Sequence, residues 1–248
     1  MSSSKNNPTG LDTENMRNIV RRSYQYIAMY NVINNFAMNE YNPMSTGGWN
    51  KTYVPTALAD HTVKAIARPN NDTLYVCTML DLRADPVVVH YPAFDSKFVS
   101  LETSAYDHYV DIPLSTTKGD FKKPVTMLYY SDRTQGYDGA PVEGIDKYMK
   151  MSGDFAIAFL RIMPHAAEPE RLKKNLATMK EVSAKTLSEY LGKPAKPVEK
   201  TRFPAFGRDA DIFEKGGRYV LQFVFNYTTF DPNDEMDQAV LAALKPLG

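Results

Sequence analysis

Arg68-Pro69-Asn70-Asn71-Asp72-Thr73-Leu74-Tyr75-Val76-Cys77-Thr78-Met79-Leu80-Asp81 begins with turn chemistry and ends as a strand. Pro69 fixes its own φ and pushes Arg68 towards an extended backbone. Asn70, Asn71 and Asp72 tolerate unusual φ/ψ and hydrogen-bond their own backbone. From Leu74 onward a period of two sets in: Leu74, Val76, Thr78 and Leu80 share one face, and Tyr75, Cys77, Met79 and Asp81 the other. A guanidinium, two amides and a carboxylate therefore stand at the mouth of a strand, where recognition groups can be held rigidly. The same residues also read as loop punctuation whose side chains satisfy local backbone groups.

Outward from this stretch, strands dominate. Val63–Ala67 leads into it, and Pro86–Tyr91, Lys97–Tyr106, His108–Ile112, Val125–Tyr130 and Ala156–Ile162 follow, rich in β-branched and aromatic residues and separated by turn signals. That spacing predicts an α+β, mainly β fold: an antiparallel jelly-roll-like β-sandwich or barrel with an N-terminal helix and C-terminal helices. The N-terminal helix is expected from Asp12 or Thr13 to about Ala37 or Asn39. Tyr41–Asp60 reads as a long loop carrying Trp49, which either caps the core or walls a pocket. After Pro164, Glu168-Pro169-Glu170 starts a helix expected to reach Leu191 and stop at Gly192. Tyr219–Phe230 fits strand or helix, and Asp231-Pro232 is expected to cap a closing helix from about Asn233 to Leu244. The organisation predicted is a disordered tail at 1–12, a helix-plus-sandwich domain at 13–165, and a helical extension at 166–248 packed on it.

The totals narrow the function. The 29 Lys and Arg balance the 29 Asp and Glu, so no net field steers nucleic acid or an anionic membrane. Sixteen tyrosines suit half-buried faces and pocket walls, where a ring packs while its hydroxyl stays wet. One cysteine, Cys77, excludes an internal disulfide or a thiolate metal site, and its place in the strand reads as a small buried hydrophobe. No window approaches the ~18 uninterrupted apolar residues of a spanning helix, and the first fifteen positions lack a signal-like apolar core. The expectation is a cytoplasmic protein, or a mature form.

Three constellations could carry chemistry. The turn offers Arg68, Asn70, Asn71 and Asp72, a planar fork beside amides that both donate and accept. Arg161 stands alone in the apolar run Phe155–Met163, so a buried guanidinium there needs an anionic partner or strong acceptors, with Asp72 or a bound anion as candidates. Glu102, Tyr106, Asp107, His108 and Asp111 place carboxylates beside a histidine, although neighbours in a strand point to opposite faces. His61, His90 and His165 are scattered. Asn31, Asn34 and Asn35 are expected to hydrogen-bond loop backbone. No nucleotide-binding, nucleophile-elbow or zinc-protease motif occurs.

Ala67–Tyr75, followed by Leu80-Asp81-Leu82 and Pro86-Val87-Val88, resembles the signature of the family catalogued as domain of unknown function 1254 (DUF 1254). That family reads Arg-Pro-Asn-x-Asp-Thr-Leu-Tyr, then Asp-Leu and a Pro-Val-Val strand; Asn50 and Leu160-Arg161 fit it as well. The similarity runs from about Tyr24 to Arg161 and more weakly to Leu247-Gly248. It implies a jelly-roll-like β domain with flanking helices, the N-terminal half only, without the usual DUF 1214 partner domain. Phe159-Leu160-Arg161-Ile162 stands where the family has Leu-Gly-Arg-Thr, Glu102 lies in a strand that is usually Gln-rich, and Asp107–Asp111 does not match Asp-x-x-Thr-Asn. The resemblance supplies no reaction.

Together these residues predict a small-molecule enzyme of hydrolase, lyase or isomerase type, with no cofactor and no metal. A polar or anionic substrate would sit in a pocket at one end of the sandwich. Asp72 or His108 would move protons and Arg68 would hold charge, while Asn70, Asn71, Arg161, Tyr75, Trp49, Glu102 and Tyr106 would bind substrate. The alternative is a non-catalytic sandwich that binds a ligand or partner, or a structural capsid-like module. Expected partners are a small molecule and either a homo-oligomer, through Val240-Leu241 and Leu244, or a separate second β domain; neither nucleic acid nor membrane is expected.

Overall fold

The structure, a computed structural model, describes residues 13–62 and 70–245. Val63–Ala67, Arg68 and Pro69, as well as the tail at 1–12, lie outside the described residues. In chain order the elements are α1 (Thr13–Arg22), α2 (Tyr24–Met38), β1 (Lys51–Tyr53), β2 (Leu74–Asp81), β3 (Val87–Tyr91), β4 (Val99–Ala105), β5 (Val110–Ser115), β6 (Val125–Tyr130), β7 (Lys147–Lys150) and β8 (Phe155–Ile162). They continue with α3 (Pro169–Met179), β9 (Ser183–Thr186), α4 (Leu187–Tyr190), α5 (Asp209–Asn226) and α6 (Glu235–Leu244). The fold is α+β and mainly β. One sheet has the order β1-β2-β8-β4-β5, the other β7-β6-β3-β9, and among the described residues neither closes on itself.

The alternation read from β2 is what builds the layers. Leu74, Val76 and Leu80 join Val87, Val89, Leu101, Met127 and Leu160 in a core shared by the two sheets. Cys77 and Met79, on the opposite face, pack with Phe155 and Ile157 against Tyr26, Ile27, Tyr30 and Ile33 of α2 and Val220 and Val224 of α5. The large sheet is thus buried on both faces, which is why β2 and β8 read as nearly continuous apolar runs. Cys77 is wholly buried, and burial holds its thiol above its ordinary range, consistent with a packing role.

Several expectations need correction. The first helix is two, parted at Ser23; the apolar period crosses that point with no Pro or Gly to mark it. The 41–60 loop contains β1, which pairs with β2 through Lys51↔Met79 and Tyr53↔Cys77. The helix expected to run to Leu191 ends at Met179, because residues 183–186 add to the free edge of β3 as β9. Tertiary pairing overrides local helical preference there. A capping box of Thr186 and Glu189 then restarts one turn of helix as α4. Tyr219–Asn226 is helix, and Thr228 bridges Gly153. Asp234, not Asp231, caps α6, its carboxylate accepting from the amides of Met236 and Asp237 at 2.8 and 3.0 Å. The sheets are not wholly antiparallel either: β6 and β7 run parallel across a long connection. No helix among the described residues is long and apolar enough to cross a membrane.

Gly153 is where the end of α5 meets the sheet. A Cβ there would lie 2.8 Å from the Tyr227 carbonyl oxygen and 3.3 Å from the Ala105 Cβ. Gly153→Ala is expected to cost about 1–3 kcal/mol through overpacking, measured by urea unfolding.

Candidate functional site

Strand register sorts the candidate residues into two groups. Leu74 and Val99 both face Ile162, so β2 and β4 start at the same end of the large sheet, beside the end of β8. Tyr75 and Ser100 flank Arg161, and Cys77 and Glu102 flank Phe159. At this end the Arg161 Nη2 lies 3.1 Å from the Glu102 Oε2, with side-chain exposures of 37% and 24%. Its guanidinium carbon sits 5.7 Å from the Tyr75 ring centre and 6.0 Å from that of Phe159, and the two rings are 4.8 Å apart. Arg161 is therefore neither deeply buried nor paired with Asp72. Glu102 is its partner, and two aromatic faces cradle its plane. Its Nε is buried and has no acceptor among the described residues.

The turn leads into the same end. The Asn70 Oδ1 accepts from the Asp72 amide at 2.6 Å and its Nδ2 reaches the Thr73 hydroxyl at 3.4 Å, a local Asx turn. Asn71 and Asp72 are exposed. Beside them Tyr53, Leu58, Thr73 and Tyr75 help to line a cavity of about 200 Å³.

The second group lies at the far end. His108 lies three residues past Ala105, the end of the seven-residue β4, and so stands roughly 20 Å from the Asn70–Thr73 turn. It is an exposed turn residue with φ 71°, its amide donating to the Ala105 carbonyl, and it cannot share a proton path with Asp72. Tyr106 is enclosed in the core, its hydroxyl accepting from the Asn34 amide at 3.0 Å. No substrate reaches it. Trp49 packs on Phe155 and Phe203, ring centres 4.8 and 5.8 Å away, as a cap on the aromatic core. Of the helical asparagines only Asn31 bonds loop backbone among the described residues, gripping both the amide and the carbonyl of Gly207, each at 2.6 Å, whereas Asn34 and Asn35 donate to the Tyr30 and Asn31 carbonyls of their own helix.

Polar chemistry the sequence did not single out is concentrated at this far end. Asp81, Asp85 and Asp154 are buried carboxylates, each matched by a cation. Arg83 binds both oxygens of Asp81, at 2.9 and 2.7 Å, stacks 4.8 Å from Phe155, and donates to the Thr201 hydroxyl. Lys196 meets Asp85 at 2.7 Å, and Arg133 meets Asp154 at 2.9 Å. Asp154 also accepts from the Ser131 hydroxyl at 2.6 Å. Even so, burial holds its carboxyl above the ordinary range, against the pull of Ser131 and Arg133. The spacing Asp81-x-Arg83 at a strand end was the available signal; the partners on other segments were not.

Ser96, His165 and Glu168 lie in a row, Oγ to Nε2 at 3.2 Å and Nδ1 to Oε1 at 3.3 Å. The geometry is that of a latch. The Lys97 amide already donates to Nε2 at 3.1 Å, and the serine hydroxyl faces the carbonyls of Phe98 and Met163 at 3.0 and 3.1 Å. Base and nucleophile are thus both engaged in tying the approach to β4 to the exit of β8. Among the described residues no group of three or more His, Cys, Asp or Glu is arranged to hold a metal ion.

Two variants test the far end as scaffold. Arg83→Ala strands Asp81 in the interior and is expected to cost about 3–5 kcal/mol in urea unfolding. Among the described residues Asp107 has no such cation: burial, then the charges of Asp237 and Asp111, raise its carboxyl above the ordinary 3.8. As pH climbs from 3.8 through that raised value, the unfolded chain ionises first, so stability falls across this window. Asp107→Asn should therefore melt like the parent below the window and at higher temperature above it, read from melting curves against pH.

No curated protein matches the chain. Among solved structures, the VPA0106 protein from Vibrio parahaemolyticus has a similar fold, with a TM-score of 0.61 and 24% identity over 92% of this chain and 50% of that one. The chain thus spans about half the length of that relative. An uncharacterized protein from Burkholderia cenocepacia is more distant, with a TM-score of 0.33 and 15% identity over 67% of this chain and 55% of that one. The model of the family described as "Protein of unknown function (DUF1254)" matches residues 49–185, from Trp49 through β9, including the Asn70–Tyr75 turn, Glu102 and Arg161. The chain belongs to the DUF1254 family.

Proposed function

We propose that the chain binds a small polar or anionic molecule at the Arg161 end of the large sheet. The observation that carries this reading is the Arg161 guanidinium, held against the packed rings of Tyr75 and Phe159 with a buried Nε that has no acceptor among the described residues. A buried donor without an acceptor, on a side chain whose neighbour Tyr75 lines a cavity, is a place for an incoming oxygen. A planar fork with one arm on Glu102 has further donors to offer a carboxylate or phosphate. In this reading the two sheets form a jelly-roll-like sandwich, 13–165 carries the site, and 166–248 packs on it.

Binding without bond-breaking is what the arrangement favours, because the proton-moving candidates are divided between the two ends. The second reading, a small-molecule enzyme of hydrolase, lyase or isomerase type, draws on Asp72, which is exposed at the same end as Arg161. Glu102 would then hold the guanidinium in place, and Asn70 and Asn71 would orient substrate.

A thermal-shift panel of small carboxylates and phosphates tests the proposal. At least one should raise the melting temperature of the parent chain and leave Arg161→Ala unmoved. That variant is expected to lose no more than about 2 kcal/mol, since it gives up one half-exposed ion pair and its ring contacts. An unresponsive parent, or an equal response in Arg161→Ala, rules the site out. Asp72→Asn then separates the two readings: binding survives in both, and turnover is lost only if Asp72 acts on the substrate.

A further inference from the structure

Outside the 49–185 match, the segment before α5 and the face of that helix line an open cavity of about 650 Å³, within the range of small-molecule sites. Phe203, Phe206, Ile212 and Tyr219 are among its walls, with Arg202 and Arg208 on its border. The segment has no regular secondary structure, yet it is fixed at three points. The buried Tyr30 hydroxyl donates to the Pro204 carbonyl at 2.6 Å, Asn31 clamps Gly207, and the Phe203 ring lies 5.2 Å from Phe155 and 5.3 Å from Phe223. All three anchors come from the helix-side core, so the cavity is pre-formed and ordering it costs a ligand little. Tyr219 stands 73% exposed on its wall, an aromatic surface with a place for an apolar body.

The charges select the ligand. Arg208 is matched by Asp211, Nε to Oδ2 at 2.9 Å, whereas Arg202 makes no ion pair among the described residues. Among the described residues the border therefore carries one cation without an ionic partner, beside an apolar and aromatic surface. We infer that this cavity binds a small amphipathic carboxylate, its apolar body against Phe206 and Tyr219 and its carboxylate on Arg202. Such a site differs from the one proposed at Arg161 in size and in place.

Calorimetric titration of the full chain with 4-phenylbutyrate, and with the neutral 4-phenylbutanol, tests the inference. It is run in the parent and in Arg161→Ala, so that the two sites are read separately. Expected is saturable binding of the acid that persists in Arg161→Ala, is weakened about tenfold or more in Arg202→Ala, and exceeds that of the alcohol by a similar factor. Phe206→Ala should weaken acid and alcohol alike. Equal affinity for acid and alcohol, loss of binding in Arg161→Ala alone, or no binding at millimolar ligand overturns it. The acid-against-alcohol comparison in the parent discriminates even if a variant fails to fold.

Discussion

Burial of the large sheet on both faces is the constraint from which the rest of this structure follows. Its central strand, β8, carries Phe155, Ile157 and Phe159 on one side and Ala156, Ala158 and Leu160 on the other. The second sheet covers one side, and a helical layer has to cover the other. That layer comes from opposite ends of the chain, α2 and α5, and its aromatic packing of Tyr30, Phe155 and Phe223 joins them through the sheet. Hydrophobic burial alone would leave their orientation loosely specified. Asn31, Asn34 and the Tyr30 hydroxyl add directional bonds that fix it.

The two ends of the sheet solve their polar problems differently, and this difference separates scaffold from site. At the Asp81 end Asp81, Asp85 and Asp154 each have a cation, and Arg83 and Lys196 use these pairs to hold residues 196–201 against the β2–β3 turn. Every strong partner there is already taken. At the Arg161 end the ion pair is half-exposed and a guanidinium donor is left over. An interior that satisfies its own charges has little to offer a ligand, so the incomplete end is the more informative one.

Much of the fold was legible from residues 68–91. The alternation of β2 set out both layers, and the Pro86–Tyr91 run is β3 almost to the residue. What remained hidden depends on distant segments. Ser183–Thr186 is polar and follows a helix, so only the free edge of β3 makes it a strand. For the site, Arg161 was visible as a lone cation in an apolar run, but its partner was not. Glu102 is joined to it by strand register, which no local spacing encodes. Grouping Asp72 with His108 failed for the same reason, because a strand's length separates two residues that both border turns. Arg202 carried no signal, since the cavity beside it exists only once α2 has clamped Gly207.

The placement of β8 also sets an order of assembly. β2 and β4 emerge early in synthesis, but each hydrogen-bonds to β8, and Leu74 and Val99 must both wait for Ile162. Until then the ribosome-borne chain holds two long strands, each with one edge unpaired and able to pair with a neighbouring copy. Such non-local pairing favours slow refolding. The same delay makes the interval before residue 162 the period of greatest risk, in which a chaperone or a low expression rate would most influence the yield of native protein.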